Sequence, residues 1–226
     1  MSIAKTMSWI LCCTLFATLG STPAWAADSI HRPDQTPGSA EQIAQGKTAY
    51  AMCAGCHGME GEGRVGVAPR LNSKNYLAAA PNDFFAETIK KGRAGTHMIA
   101  FGAAMQPEQV DALVAYIRDW QTEKGVSLDQ TPLTGTVEQG TKLWADICSR
   151  CHGMSAAGYS EAGSGTGIGR KDFLDVSSDG FLRALIKTGK DNTPMRSFSE
   201  DSPVTVADLT SEEIDSIIKY LRSNAW

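Results

Sequence analysis

Apolar residues recur at helical spacing in two corresponding places along the chain. Val110, Leu113, Val114 and Ile117 stand at i, i+3, i+4 and i+7, and Ile214, Ile217, Ile218 and Leu221 repeat the stripe, the pattern of a helix that buries one face. Tyr116 and Tyr220 follow in the same register. Two further helices are predicted ahead of each stripe. One runs from about Ser39 to Cys53, with Ser39 and Gln42 at capping-box spacing, and its counterpart from about Thr136 to Cys148. The other spans about Asn82 to Lys91 and again Asp179 to Thr188, each opened by a cap residue and closed by a glycine. No strand-rich region interrupts the pattern, so the predicted class is all-α.

The N-terminus reads differently. Met7 to Gly20 is an apolar run without charge, Lys5 precedes it, and Ala24-Trp25-Ala26 closes it in a small-x-small pattern. These features predict a signal peptide over residues 1–26, cleaved before Ala27, and hence a periplasmic protein. The run falls short of the roughly 18 to 20 apolar residues of a spanning helix, and no second hydrophobic segment follows. The mature chain is expected to have no membrane span.

The chain is an internal duplication. Cys53, Cys56, His57, Gly58 and Met59 recur 95 residues on as Cys148, Cys151, His152, Gly153 and Met154. Phe84, Ile89, Lys90, Gly92, Met98 and Phe101 recur 97 residues on as Phe181, Ile186, Lys187, Gly189, Met195 and Phe198. Ordered matches over such a span define two copies of one unit. The expected division is a loose N-terminal arm over 27–38, a first domain over 39–121, a polar linker over 122–135 that holds Gly125, Pro132 and Gly135, and a second domain over 136–226. Units of this size bury only a modest core, which a large apolar group at the centre would supplement.

The formal charge of -4 becomes -5 once Lys5 leaves with the leader. Nucleic-acid binding calls for basic clusters, and this mildly acidic chain has none.

The candidate chemistry lies in Cys53-Ala54-Gly55-Cys56-His57 and Cys148-Ser149-Arg150-Cys151-His152. Cys-x-x-Cys-His is the attachment signal of covalent haem. Two cysteines three apart reach the two vinyl groups on one porphyrin edge, and the adjacent histidine then lies under the ring as a proximal iron ligand. Three other readings explain less. A thioredoxin-like pair would sit near a βαβ pattern, a zinc site would need four Cys and His ligands, and two disulfides would not place a histidine at the same point in both copies. The sixth iron ligand must come from the opposite face. Met98 and Met195 qualify, since each lies six residues after the helix-closing glycine and three before a phenylalanine. Met105 has no counterpart, while Met59 and Met154 are too close to the histidine to cross the ring. His97, beside Met98, reads as a surface residue, because its counterpart is Pro194.

These residues resemble the class I cytochromes c, and the whole mature chain resembles bacterial dihaem proteins built of two such domains. Gly140-Thr-Lys-Leu-Trp144, four residues before Cys148, is similar to the family's first helix, and Gly46-Lys-Thr-Ala-Tyr50 is a version with a spacing to its cysteine one residue shorter. Leu209-Thr-Ser-Glu-Glu213 and the helix through Tyr220 resemble the terminal helix. The resemblance implies two small helical bundles, each wrapped around a covalently bound haem c and its iron. It also implies that the carbonyl of Pro69, in Ala68-Pro69-Arg70-Leu71, accepts the His57 imidazole N–H. Ile168-Gly169-Arg170 stands where the second proline segment should be, so the acceptor of His152 is open and the second haem is expected to be the more exposed.

The expected function is single-electron transfer between a periplasmic donor and acceptor protein, with no catalytic residues. Two other readings use the same residues. One is a haem-bearing subunit of a periplasmic dehydrogenase or membrane-bound terminal oxidase. The other is a dihaem enzyme of peroxidase or thiosulfate dehydrogenase type, which would need an open sixth position beside His97.

Overall fold

The computed structural model describes residues 30–31 and 33–226; the predicted leader lies outside them. Each half contains a first helix, a short helix ending at the motif histidine, a second short helix, a ten-residue helix and a long terminal helix. In the first half these are α1 (Ala40–Ala49), α2 (Ala51–His57), α3 (Lys74–Ala79), α4 (Asn82–Lys91) and α5 (Pro107–Asp119). In the second half they are α6 (Val137–Leu143), α7 (Ser149–His152), α8 (Lys171–Leu174), α9 (Asp179–Thr188) and α10 (Ser211–Ser223). The Ser39 capping box forms as read, with the Ser39 hydroxyl accepting from the Gln42 N–H and the Gln42 side chain accepting from the Ser39 N–H. Thr210 and Glu213 close the same box on α10. Among the described residues no helix is long and apolar enough to cross a membrane.

The first and last helices of each half cross at a glycine. A Cβ on Gly46 would lie 1.9 Å from the Ala112 carbonyl oxygen, and one on Gly140 would lie 1.9 Å from that of Ser216. Only glycine lets the backbones approach this closely. The crossing turns both apolar stripes inward, and all eight residues predicted for them are buried. Fully burying an aliphatic side chain contributes about 1.5–3 kcal/mol, so the two stripes carry much of the packing energy of their halves.

From Gly46 to Cys53 the chain has one residue fewer than from Gly140 to Cys148. The second half absorbs the extra residue in a π-helical turn, Trp144–Cys148, between α6 and α7. The first half instead breaks at Tyr50, between α1 and α2. Both solutions bring an aromatic ring to the same job. The Tyr50 hydroxyl donates to the Gly58 carbonyl at 2.9 Å, and the Trp144 indole donates to the Gly153 carbonyl at 3.1 Å. Each ring then packs on the tyrosine of its terminal helix, Tyr50 on Tyr116 at 5.3 Å and Trp144 on Tyr220 at 5.4 Å.

The arm from Pro33 to Gly38 is pinned, contrary to the loose segment expected. The Gln35 amide nitrogen lies within 3.0 Å of the carbonyls of Leu77, Ala78 and Ala80, which are the orphan acceptors at the end of α3. The buried Arg118 guanidinium takes the Leu77 and Ala80 carbonyls from the other side. The linker is also tied down. Its β2 (Leu128–Asp129) pairs antiparallel with β1 (Ile30–His31), and Leu128 is buried in the core.

The two halves meet face to face, and several contacts are answered by counterparts 97 residues on, as in an isologous interface. Phe84 packs on its own counterpart Phe181 at 4.9 Å. Tyr76 lies 6.1 Å from Phe181, and Phe84 lies 6.1 Å from Phe173. Arg93 stands over the Phe173 ring, and Lys190 over the Tyr76 ring. The Asp191 carboxylate accepts from the Ser73 hydroxyl and the Asn75 N–H, while the Asp172 carboxylate accepts from the Ala94 N–H. One apolar cluster runs through this contact, since Phe181 and Leu185 pack with Tyr76, Leu77 and Phe84. The second cluster gathers Trp144, Leu174, Leu182 and the α10 stripe.

Candidate haem sites

Both histidines are held in the same way at their Nδ1 atoms. His57 Nδ1 lies 3.0 Å from the Pro69 carbonyl, and His152 Nδ1 lies 2.8 Å from the Thr166 carbonyl. A carbonyl oxygen only accepts, so Nδ1 carries the hydrogen and Nε2 presents a lone pair. Burial holds both imidazoles below their ordinary pKa. The carbonyl hydrogen bonds pull the other way, and the Lys190 ammonium adds to burial at both rings. The neutral ring with a free Nε2 is therefore the favoured form, as metal binding requires.

The acceptor that the sequence left open for His152 is thus Thr166, two residues before the segment compared with the proline motif. Openness does not separate the two sites in one direction. His57 is buried and His152 half-buried, whereas Cys56 is exposed and Cys151 half-buried. All four cysteines are unbridged. Burial raises the thiol pKa of Cys53, and that of Cys148 is pushed up to about 12.

The two methionine loops repeat each other bond for bond. The Arg93 N–H donates to the Met98 carbonyl and the Lys190 N–H to the Met195 carbonyl, each at 2.7 Å. The Thr96 hydroxyl donates to the Arg93 carbonyl and accepts from the Met98 N–H, and Thr193 does the same between Lys190 and Met195. Gly92 and Gly189 make the fold-back possible. Both have positive φ, and a Cβ on either would lie within 2.6 Å of the returning loop backbone. The sequence reading passed over the paired threonines, although they stand at the 97-residue offset.

In the second half the structure brings the proposed residues to one cavity. It has a volume of about 540 Å³, and Cys148, Cys151, His152 and Met195 all line it, within the size range of cofactor pockets. Two strands absent from the first half, β3 (Ser197–Ser199) and β4 (Thr205–Leu209), supply Phe198, Ala207 and Leu209 to its apolar wall. The first half also contributes to the lining, through Ala68, Pro69 and Arg70. In the first half Cys53 and Met98 pack against the same apolar cluster. Met105 is buried in that cluster and His97 is exposed. Met59 and Met154 are 73% and 61% exposed and belong to neither core.

These residues fit a covalent haem. An apolar slot carries two thiols on one side, a neutral imidazole nitrogen and a thioether, and Arg64, Arg70, Arg150 and Lys190 face it against only Glu62 and Asp146. That excess of positive charge suits a group bearing carboxylates. A helical fold that repeats the two thiols, the carbonyl-held imidazole and the looped methionine in each half defines a c-type cytochrome with two covalently bound haems c, a protein of electron transfer. More particularly, the chain belongs to the family described as cytochrome c oxidase, cbb3-type, subunit III, whose model matches residues 41–117 and 135–221.

Among curated proteins the chain is 34% identical over 132 residues to the cbb3-type cytochrome c oxidase subunit FixP of Sinorhizobium medicae, covering 54% of this chain and 43% of that one. It is 32% identical over 150 residues to subunit FixPc of Rhizobium leguminosarum bv. viciae, covering 62% and 49%. The chain therefore spans less than half the length of these two relatives. Among solved structures, a chain of the Kuenenia stuttgartiensis reducing HAO-like protein complex superposes with a TM-score of 0.52 at 22% identity, over 87% of this chain and 100% of that one. At that identity the likeness shows the fold alone.

Proposed function

We propose that this chain is an exported, periplasm-facing dihaem subunit that feeds single electrons into a membrane-bound terminal oxidase of the cbb3 type. The observation that carries the reading is the family match across both halves, together with relatives named as subunits of such oxidases. A free carrier between periplasmic donor and acceptor proteins, the first expectation from sequence, ranks behind it because the matched relatives are oxidase subunits.

In this reading Cys53, Cys56, Cys148 and Cys151 would form the thioethers, His57 and His152 would hold the iron through Nε2, and Met98 and Met195 would add their thioether sulfurs as the remaining ligands. Bound haem supplies a one-electron couple whose ferrous form a His/Met pair favours. The protein's part is to fix the ligands. Pro69 and Thr166 lock tautomer and ring orientation and strengthen the imidazole as a donor. The threonine-braced loops present the methionines, and the apolar walls exclude water.

The ferric protein is expected to be low-spin at both centres, with a sulfur-to-iron charge-transfer band in the optical spectrum. Met195→Ala should abolish that band at one centre and leave the other intact. An unchanged spectrum would show that Met195 is not a ligand. For the partner, affinity purification of the tagged chain from native membranes should recover oxygen-consuming activity; haem protein recovered without it would overturn the oxidase assignment.

A further inference from the structure

We propose that Lys190 is a positioning residue shared by both centres, whose ammonium, set between the two histidine pockets, raises the reduction potential of both haems together. The proposal rests on the haem-ligand reading above. Lys190 is bonded to both ligand systems. Its backbone N–H donates to the Met195 carbonyl, while its side chain crosses the interface and donates from Nζ to the Arg70 carbonyl at 3.1 Å. Arg70 directly follows Pro69, whose carbonyl accepts from His57. The ammonium lies 3.9 Å from the centre of the Tyr76 ring, over its negative face, and borders the cavity that holds His152 and Met195.

The counterpart Arg93 is placed differently. Its guanidinium donates to the Thr88 hydroxyl and the Asp172 carbonyl and packs on Phe84 and Phe173. It is not among the residues lining the cavity. The two matched cations of the interface therefore reach different partners, and only Lys190 borders the cavity.

Adding one electron to either iron lowers the local charge by one unit. A cation close to both therefore favours the ferrous state at both. Burial keeps the interaction from being screened as a surface charge would be.

Spectroelectrochemical titration of the holoprotein tests this with Lys190→Gln, Lys190→Met and Lys190→Arg. In the two neutral variants the ferrous-to-ferric ratio of each haem at a fixed potential should fall roughly tenfold, a lowering of about 59 mV for a one-electron couple. Their absorption spectra should stay unchanged. The arginine variant should keep both potentials within about twofold in that ratio, or about 18 mV. The proposal fails if only one haem shifts, if neither does, or if arginine behaves like glutamine. It also fails if all three variants lose the Met195 spectral signature, since Lys190 would then act only by bracing the loop. The ligand assignment itself is read in the unmutated protein, so its failure is distinguishable from a failure of Lys190 to move the potentials.

Discussion

Gly140→Val is expected to leave the second half unable to close, with a loss of roughly 3 kcal/mol or more. A Cβ at this position falls 1.9 Å from the Ser216 carbonyl oxygen, 2.6 Å from its carbon and 3.0 Å from the Tyr220 Cβ. None of these is the flexible end of a side chain, so the clash is relieved only by separating α6 from α10. Separation also breaks the bonds that tie the two helices, in which the Ser216 hydroxyl accepts from the Thr136 N–H and donates to the Gln139 side chain. Trp144 would lose its stack on Tyr220, and with it the brace on the Gly153 carbonyl beside His152. For a domain pair of this size each kcal/mol lowers Tm by about 2–4 °C. A melt followed by circular dichroism should therefore show a fall of at least about 6 °C, with loss of native absorption at the second haem first. Gly140→Ala keeps the clash at its root and should fall on the same side. A melt within a degree of the parent would refute the close crossing.

Much of this arrangement was legible in the sequence, for identifiable reasons. The ten-residue helices 82–91 and 179–188 form over the residues read for them, because caps and closing glycines are local signals. The apolar stripes are buried as expected, because a 3.6-residue period on a helix has one inner face. What was not legible depends on partners distant in the chain. Helices α3 and α8 are six and four residues long, too short to show a period. The pinning of Gln35 follows from α3 and was invisible with it. The one-residue difference ahead of Cys148 could be counted, but its resolution as a π-helical turn depends on where α10 and the Gly153 carbonyl fix Trp144. Thr166 offers only a backbone carbonyl, which no side-chain pattern advertises. Lys190 and Arg93 form a matched basic pair in sequence. Their divergence appears only once Tyr76 and Phe173 are seen to take different cations.

Asp215→Ala should destabilise the protein by about 3–5 kcal/mol, the usual cost of removing one member of a buried ion pair. Arg183 Nε donates to Asp215 Oδ1 at 2.6 Å, and the two side chains are 6% and 7% exposed. The pair anchors the linker as well as joining α9 to α10. Arg183 donates to the carbonyls of Asp129 and Thr131, and Asp215 accepts from the N–H and hydroxyl of Thr134. Without the carboxylate the buried guanidinium keeps two carbonyl acceptors and only the exposed Asp129 carboxylate 3.9 Å away, and the Thr134 end of the linker is released. Burial alone would raise the Asp215 pKa, but the bonds from Arg183 and Thr134 outweigh it and hold the carboxyl below its ordinary range. A carboxyl depressed in the folded state stabilises at pH above its unfolded value of about 3.9 and loses that contribution as pH falls through the folded pKa. The parent and Asp215→Ala should therefore differ most in Tm near neutral pH and converge below about pH 4. The double variant Arg183→Met, Asp215→Leu, which removes both charges, should be the less damaged of the two at pH 7. A double variant as unstable as the single one would show that the hydrogen bonds to the linker, and not the unpaired charge, account for the loss.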